Sequence, residues 1–189
     1  MTTKRFLDWF GGDILTKQKQ TKERNIIYNV LDVCHYIVRY SNDRDYGISN
    51  LKLQKILYFV QAYFLISKEE STPCFNEKIE AWDFGPVVPE AYLEYKQHGG
   101  ADIPTTGFRI LFDKENIWNT RKIPFDDNVI KEEDKKLINE VIDKFACYSA
   151  TDLVSITQRQ SPWIDAYVPY KNNEITKDSI REYFVNMDN

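Results

Sequence analysis

The run Leu51–Gln61, LKLQKILYFVQ, limits the fold more than any other stretch of this chain. Leu53, Ile56, Leu57, Val60 and Phe64 form one stripe at helical spacing, and Leu51, Tyr58 and Leu65 form a second. A helix apolar over so much of its circumference needs neighbours on several sides. The spacing therefore predicts a central buried helix over about residues 50–66, capped at its start by Ser49 or Asn50. On that helix Gln54, Tyr58 and Gln61 stand at i, i+4, i+7, so one face carries two amides around a phenol, while Lys52 and Lys55 are expected to emerge on another side.

Other elements follow from periodicity and punctuation. Ile26, Ile27, Val30, Leu31, Cys34, Ile37 and Val38 predict an amphipathic helix of roughly 15 residues from near Asn25, broken by Ser41-Asn42-Asp43. Glu77–Trp82 reads as a short strand. The next helix runs from about Pro89 to His98, where Gly99-Gly100 supply a stop. Residues 101–128 are the least regular, with a strand candidate at Phe108–Phe112 that Ile117–Trp118 or Ile123–Phe125 can pair with. Lys131–Phe145 is helical with Leu137, Ile138, Val141, Ile142 and Phe145 inward. Ser149-x-x-Asp152 resembles a capping box opening a helix Thr151–Gln158, and Thr176 can cap a last helix at about 176–186. The fold class is mainly α with a small β-sheet, one compact helical domain with a short strand or hairpin element.

The chain divides into residues 1–24, an N-terminal appendage, and 25–189, the globular part. In the appendage Phe6, Trp9 and Phe10 sit at i, i+3, i+4 before Gly11-Gly12, so one helical turn can present an aromatic face to a partner or to its own domain. Those 24 residues hold six Lys/Arg against three Asp/Glu, leaving the remainder strongly acidic in a chain of net charge −4. That balance argues against a dedicated nucleic-acid binder. Cys34, Cys74 and Cys147 share no metal-ligand spacing, and Cys34 falls in an apolar helical pattern, as a small buried hydrophobe does. Three cysteines without paired spacing make a reducing cytoplasm the expected location, and no apolar run has the length of a membrane span.

Enzyme chemistry finds little support. Only His35 and His98 are present, neither beside a nucleophile or carboxylate at a recognisable spacing, and HExxH, GxGxxG and GxxxxGK[ST] are missing. No catalytic residue, metal site or cofactor is assigned. The informative pattern is instead Trp82-x-x-Gly85-Pro86-Val87-Val88-Pro89-Glu90. Gly85-Pro86 predicts a stiff corner, and Pro89 suits the first helical position with Glu90 favoured by the amino-terminal dipole. Such a corner is either architectural, with Trp82 packed beneath it, or a rigid partner surface. Further along, Pro162-Trp163 should turn the chain sharply and bury an indole near the hub.

In this order LKLQKILYFVQ, EAWDFGPVVPEAY (residues 80–92) and TQRQSPW (157–163) resemble the Panacea antitoxin domain, the SocA-like family formerly described as GepA-like phage-associated proteins, over about residues 25–167. The motif positions that carry over are Leu53, Gln54, Lys55, Tyr58, Gln61, Trp82, Gly85, Pro86, Val87, Pro89, Tyr92, Pro162 and Trp163. One departure stands out: a threonine–histidine pair is expected where Thr157 is followed by Gln158. The resemblance implies a non-enzymatic antitoxin that neutralises a cognate protein toxin by direct binding, some members delivering the toxin to an energy-dependent protease. Candidate partner-binding residues are Phe6, Trp9, Phe10, Gln54, Tyr58, Gln61, Trp82, Gly85, Pro86, Val87, Pro89 and Trp163, with toxin choice assigned to residues 1–24 and 101–128. Two other classes stay open: a phage or mobile-element protein that binds a host factor or regulates transcription, and an enzyme whose groups converge only in space.

Overall fold

The computed structural model describes residues 26–112 and 120–187. Helix α2 (Asn50–Ser67) is the hub: sixteen of its eighteen residues are buried, so it must be enclosed by other elements. Ser49 caps it by accepting from the Lys52 amide. Helices α1 (Val30–Asn42), α4 (Glu132–Phe145), α5 (Ala150–Thr157) and α7 (Lys177–Met187) pack around it, and α3 (Pro89–Tyr95) and α6 (Ser161–Ala166) complete the set of seven among the described residues. The centre is aromatic. Phe59 of α2 stacks on Phe145 of α4 at 4.3 Å and meets Phe184 of α7 edge-on, each ring burying area worth roughly 2–3 kcal/mol.

Two small sheets accompany the helices. Strands β1 (Ile79–Trp82), β2 (Gly85–Val87) and β5 (Glu174–Ile175) form an antiparallel sheet in the order β2-β1-β5. Strands β3 (Phe108–Phe112) and β4 (Thr120–Pro124) form a separate antiparallel hairpin with Phe108 opposite Pro124. This is the mainly α domain with a small sheet that the periodicity predicts. The capping box joins Ser149 and Asp152 as expected, and the Thr176 hydroxyl accepts from the Ser179 amide at the start of α7.

The first helix starts later than its apolar spacing suggests. Asn29 caps it through its side chain, and Ile26 and Ile27 lie outside it, exposed by 39% and 44%. Residue 28 is instead extended, its amide donating to the Cys74 carbonyl, because a side-chain cap ends a helix whatever apolar residues precede it. Asp134 also departs from a simple helix-start charge. It is buried, accepts from the Tyr28 hydroxyl and pairs with Lys68. No helix among the described residues is long and apolar enough to cross a membrane.

Candidate functional site

The motif residues converge on the β1–β2 hairpin. Trp82 pairs with Gly85 and Ala81 with Pro86, so the chain reverses at Asp83-Phe84 and Gly85-Val87 is a strand. The corner expected at Gly85-Pro86 is thus displaced two residues, to Asp83-Phe84. Gly85 closes the turn at φ +91°, a region that a side chain makes costly, and a Cβ there would meet Thr157 Oγ1 at 2.8 Å and Lys55 Cε at 3.1 Å. Pro86 tolerates its missing donor because β2 is an edge strand. Pro89 then occupies the first turn of α3, behind Val88 as N-cap.

Beneath the hairpin, the polar side chains of α2 are wired inward. Gln54 accepts from the Val88 amide at 2.9 Å and donates to Asn50, whose own amide donates to the Tyr92 carbonyl. The Tyr58 hydroxyl donates to Gln160 Oε1 at 2.7 Å. Gln61 donates to the Phe75 carbonyl and accepts from the amides of Cys74 and Phe75. All three motif side chains are buried, so a partner reaches none of them without opening the fold. Buried amides and phenols that find partners in this way fix how segments dock.

The lysines do not emerge. Lys55 is completely buried and donates to the Pro86 carbonyl at 2.8 Å; burial pushes its amine down to about 7. Lys52 is also buried and donates to the Ala146 carbonyl, at the carboxyl end of α4 where a cation is favoured. Burial draws its amine down too. The reason is the hub itself: a helix surrounded on all sides has no face left for lysine, so each stem runs through the core to a carbonyl. The apolar residues interleaved around Lys55, namely Leu51, Leu53, Ile56 and Leu57, are the available signal.

An outer layer holds the turn in place. Trp163 Nε1 donates to the Trp82 carbonyl at 3.0 Å, Gln158 Nε2 to the Asp83 carbonyl at 2.7 Å, and the Tyr167 hydroxyl to Asp83 Oδ1 at 3.0 Å. Trp82 meets Tyr92 edge-on at 5.0 Å and donates through Nε1 to Glu80. Trp163 stacks on Tyr167 at 4.4 Å. The chain turns at 158–160, just before Pro162 in the first turn of α6, and the Trp163 indole is half-buried against the hairpin rather than enclosed at the hub. Gly85, Pro86 and Val87 are buried, Pro89 and Trp82 half-buried, and Phe84 is 67% exposed at the tip. Gln158, singled out only as a departure from a histidine, turns out to clamp the turn. Phe6, Trp9 and Phe10 lie outside the described residues.

Neither histidine belongs to this assembly. His35 stacks on Phe125 at 3.7 Å, and His98 lies 3.2 Å from the Gln97 amide nitrogen. Cys34 is buried as expected, and burial raises its thiol well above the ordinary range. A groove of about 340 Å³ between α6 and α7 is lined by Ser161, Pro162, Asp165, Ser179, Glu182 and Tyr183 among others, and includes neither histidine.

A family model described as "Antitoxin SocA-like, Panacea domain" matches residues 53–164, from the hub through the hairpin to Trp163. The chain is 47% identical over 55 residues to "Antitoxin SocA" of Caulobacter vibrioides (strain NA1000 / CB15N). That stretch covers 29% of this chain and 28% of the relative. No solved structure matches the chain.

Proposed function

The chain belongs to the SocA-like antitoxins with a Panacea domain, and on that footing we propose that it neutralises a cognate protein toxin by direct, stoichiometric binding in the cytoplasm. The observation that carries this reading is the position of the match, which takes in the hub, the clamped hairpin and the Trp163 layer as one unit. Those parts build a rigid frame with an exposed tip, and such a frame suits recognition, since groups already held in place lose little entropy on binding. The net charge of −4 favours a protein partner over nucleic acid.

Toxin choice rests with residues 1–24 and 101–128, while the frame itself is shared; loops and termini carry specificity on rigid scaffolds. Delivery of the bound toxin to an energy-dependent protease is a second step of the same role. The test is to express the product of the neighbouring open reading frame alone and together with this protein in a host that lacks both. Growth arrest by the neighbour, rescue by this protein and co-purification in equal amounts are expected. A harmless neighbour that does not co-purify overturns the reading. If toxin half-life is unchanged in a protease-deficient host, the delivery step falls and neutralisation by binding remains.

A further inference from the structure

The groove between α6 and α7 has a volume of about 340 Å³. Ligand pockets run from roughly 300 to 1,000 Å³, so a space this small suits a single turn of peptide rather than a folded domain. Pro162, Tyr183 and Met187 make part of its lining apolar, Asp165 and Glu182 give it two carboxylates, and the other lining residues are neutral. The nearest cations in sequence, Arg159, Lys171, Lys177 and Arg181, lie outside the lining. Lys177 and Arg181 donate instead to the Asn76 carbonyl and the Ser71 hydroxyl.

Residues 1–24 carry the matching chemistry. Read at helical spacing, Phe6, Trp9 and Phe10 share one side, with Arg5 beside them and Asp8 opposite, and the segment holds six Lys/Arg against three Asp/Glu. The segment also joins the described residues within reach of the groove. Ile26 lines a small cleft with Thr72, and the neighbouring Ser71 accepts from Arg181 of α7. The way to the groove leads round α7, a helix about 10–12 Å across, and the chain from Phe10 to Ile26 spans up to roughly 50 Å when extended. A wider groove beside Asp45 and Asp102 is a weaker host, because the Lys52 ammonium already acts on Asp102.

We propose that the segment Phe6–Phe10 docks into the groove between α6 and α7 of the same molecule, its rings against Pro162, Tyr183 and Met187 and Arg5 toward Asp165 and Glu182. The docking stands independently of the antitoxin reading. With that reading, it holds a segment assigned to toxin choice on the frame before the toxin arrives, which lowers the entropy lost on binding.

The test is digestion of the full-length chain with trypsin, following cleavage after Lys4 and Arg5 by mass. A docked segment is shielded from the protease, so its release reads as faster cleavage at an unchanged site. The double variant Asp165→Lys, Glu182→Lys should be cut there about tenfold faster than wild type, and Trp9→Ala should be faster by a similar factor. Asp45→Lys, in the other groove, should be cut as wild type is. Asp165 and Glu182 are exposed, so the double variant should melt within a degree or two of wild type, which separates an emptied groove from a lost fold. Cleavage within twofold of wild type in either the double variant or Trp9→Ala overturns the docking and leaves the antitoxin reading untouched. Release by Asp45→Lys places the segment in the other groove and also overturns it. Protection that fades on dilution means that the segment reaches a second copy of the chain, and docking within one molecule is then wrong.

Discussion

Two antiparallel hairpins, β1–β2 and β3–β4, share a topology and differ in how the rest of the molecule treats them. Around β1–β2, side chains from α2, from Gln158 just after α5, and from α6 reach the backbone of the turn or of the strand behind it. β3–β4 is placed differently by its described residues. Thr120, Arg121, Lys122 and Pro124 are exposed, Lys122 lies over the Phe108 ring at 4.4 Å, and the base is held by Phe125 stacked on His35. The difference teaches that a hairpin becomes part of a frame through bonds from outside its own ladder. Each strand pair satisfies only its own facing backbone groups, and position relative to the core comes from elsewhere.

Substitutions in the two hairpins should therefore differ widely in cost. The largest effect is expected for Gly85→Ala, which places a side chain at positive φ and against Thr157. A loss of about 3 kcal/mol in urea unfolding is expected, and adding Thr157→Ala should return only part of it, since the backbone strain stays. A loss below 1 kcal/mol would mean that Thr157 and Lys55 do not clamp the hairpin.

Lys55 comes next, through pH. Its folded amine titrates near 7 against an ordinary 10.5, so between those values the unfolded chain binds more protons and stability rises with pH. Below 7 both states are charged and the penalty of burying the charge is fully present; above 10.5 it is gone. Wild type should gain about 2 kcal/mol relative to Lys55→Met between pH 7 and 9, measured as the difference between their unfolding free energies. Parallel pH profiles would sink the idea that an uncompensated amine lies under the hairpin.

Tyr58→Phe leaves Gln160 Oε1 buried without its donor and should cost about 1–2 kcal/mol. At the bottom of the scale, Lys122→Ala in β4 should change stability by less than about 0.5 kcal/mol, an exposed cation–aromatic contact being worth little. A larger loss would show that β3–β4 is built into the frame after all.

Elements set by near neighbours in the chain are legible in the sequence. The two apolar stripes of α2, the Ser149–Asp152 box, the Thr176 cap and Pro89 at a helix start all depend on residues within one or two turns. The start of α1 was misplaced because Ile26 and Ile27 continue its apolar spacing, while Asn29, a single side chain, ends it. The site was legible as a set of motif residues but not as an arrangement. Gln54, Tyr58 and Gln61 share a face by spacing, yet their partners Val88, Gln160 and Phe75 lie far along the chain or across a loop.

The sequence by itself determined that a helix apolar on more than one side would be the hub of a mainly α domain, and that a glycine and two prolines would shape the passage from strand to helix near Trp82. Only the tertiary structure decided which side of that passage faces water. Lys55 and Phe84 show why. By composition the lysine belongs outside and the phenylalanine inside, and the fold reverses both. Burial is set by what packs around a residue from distant segments. A long amine stem can cross a core when a carbonyl such as that of Pro86 waits at its end, and a phenyl ring at a clamped turn stays in water where no described segment packs over it.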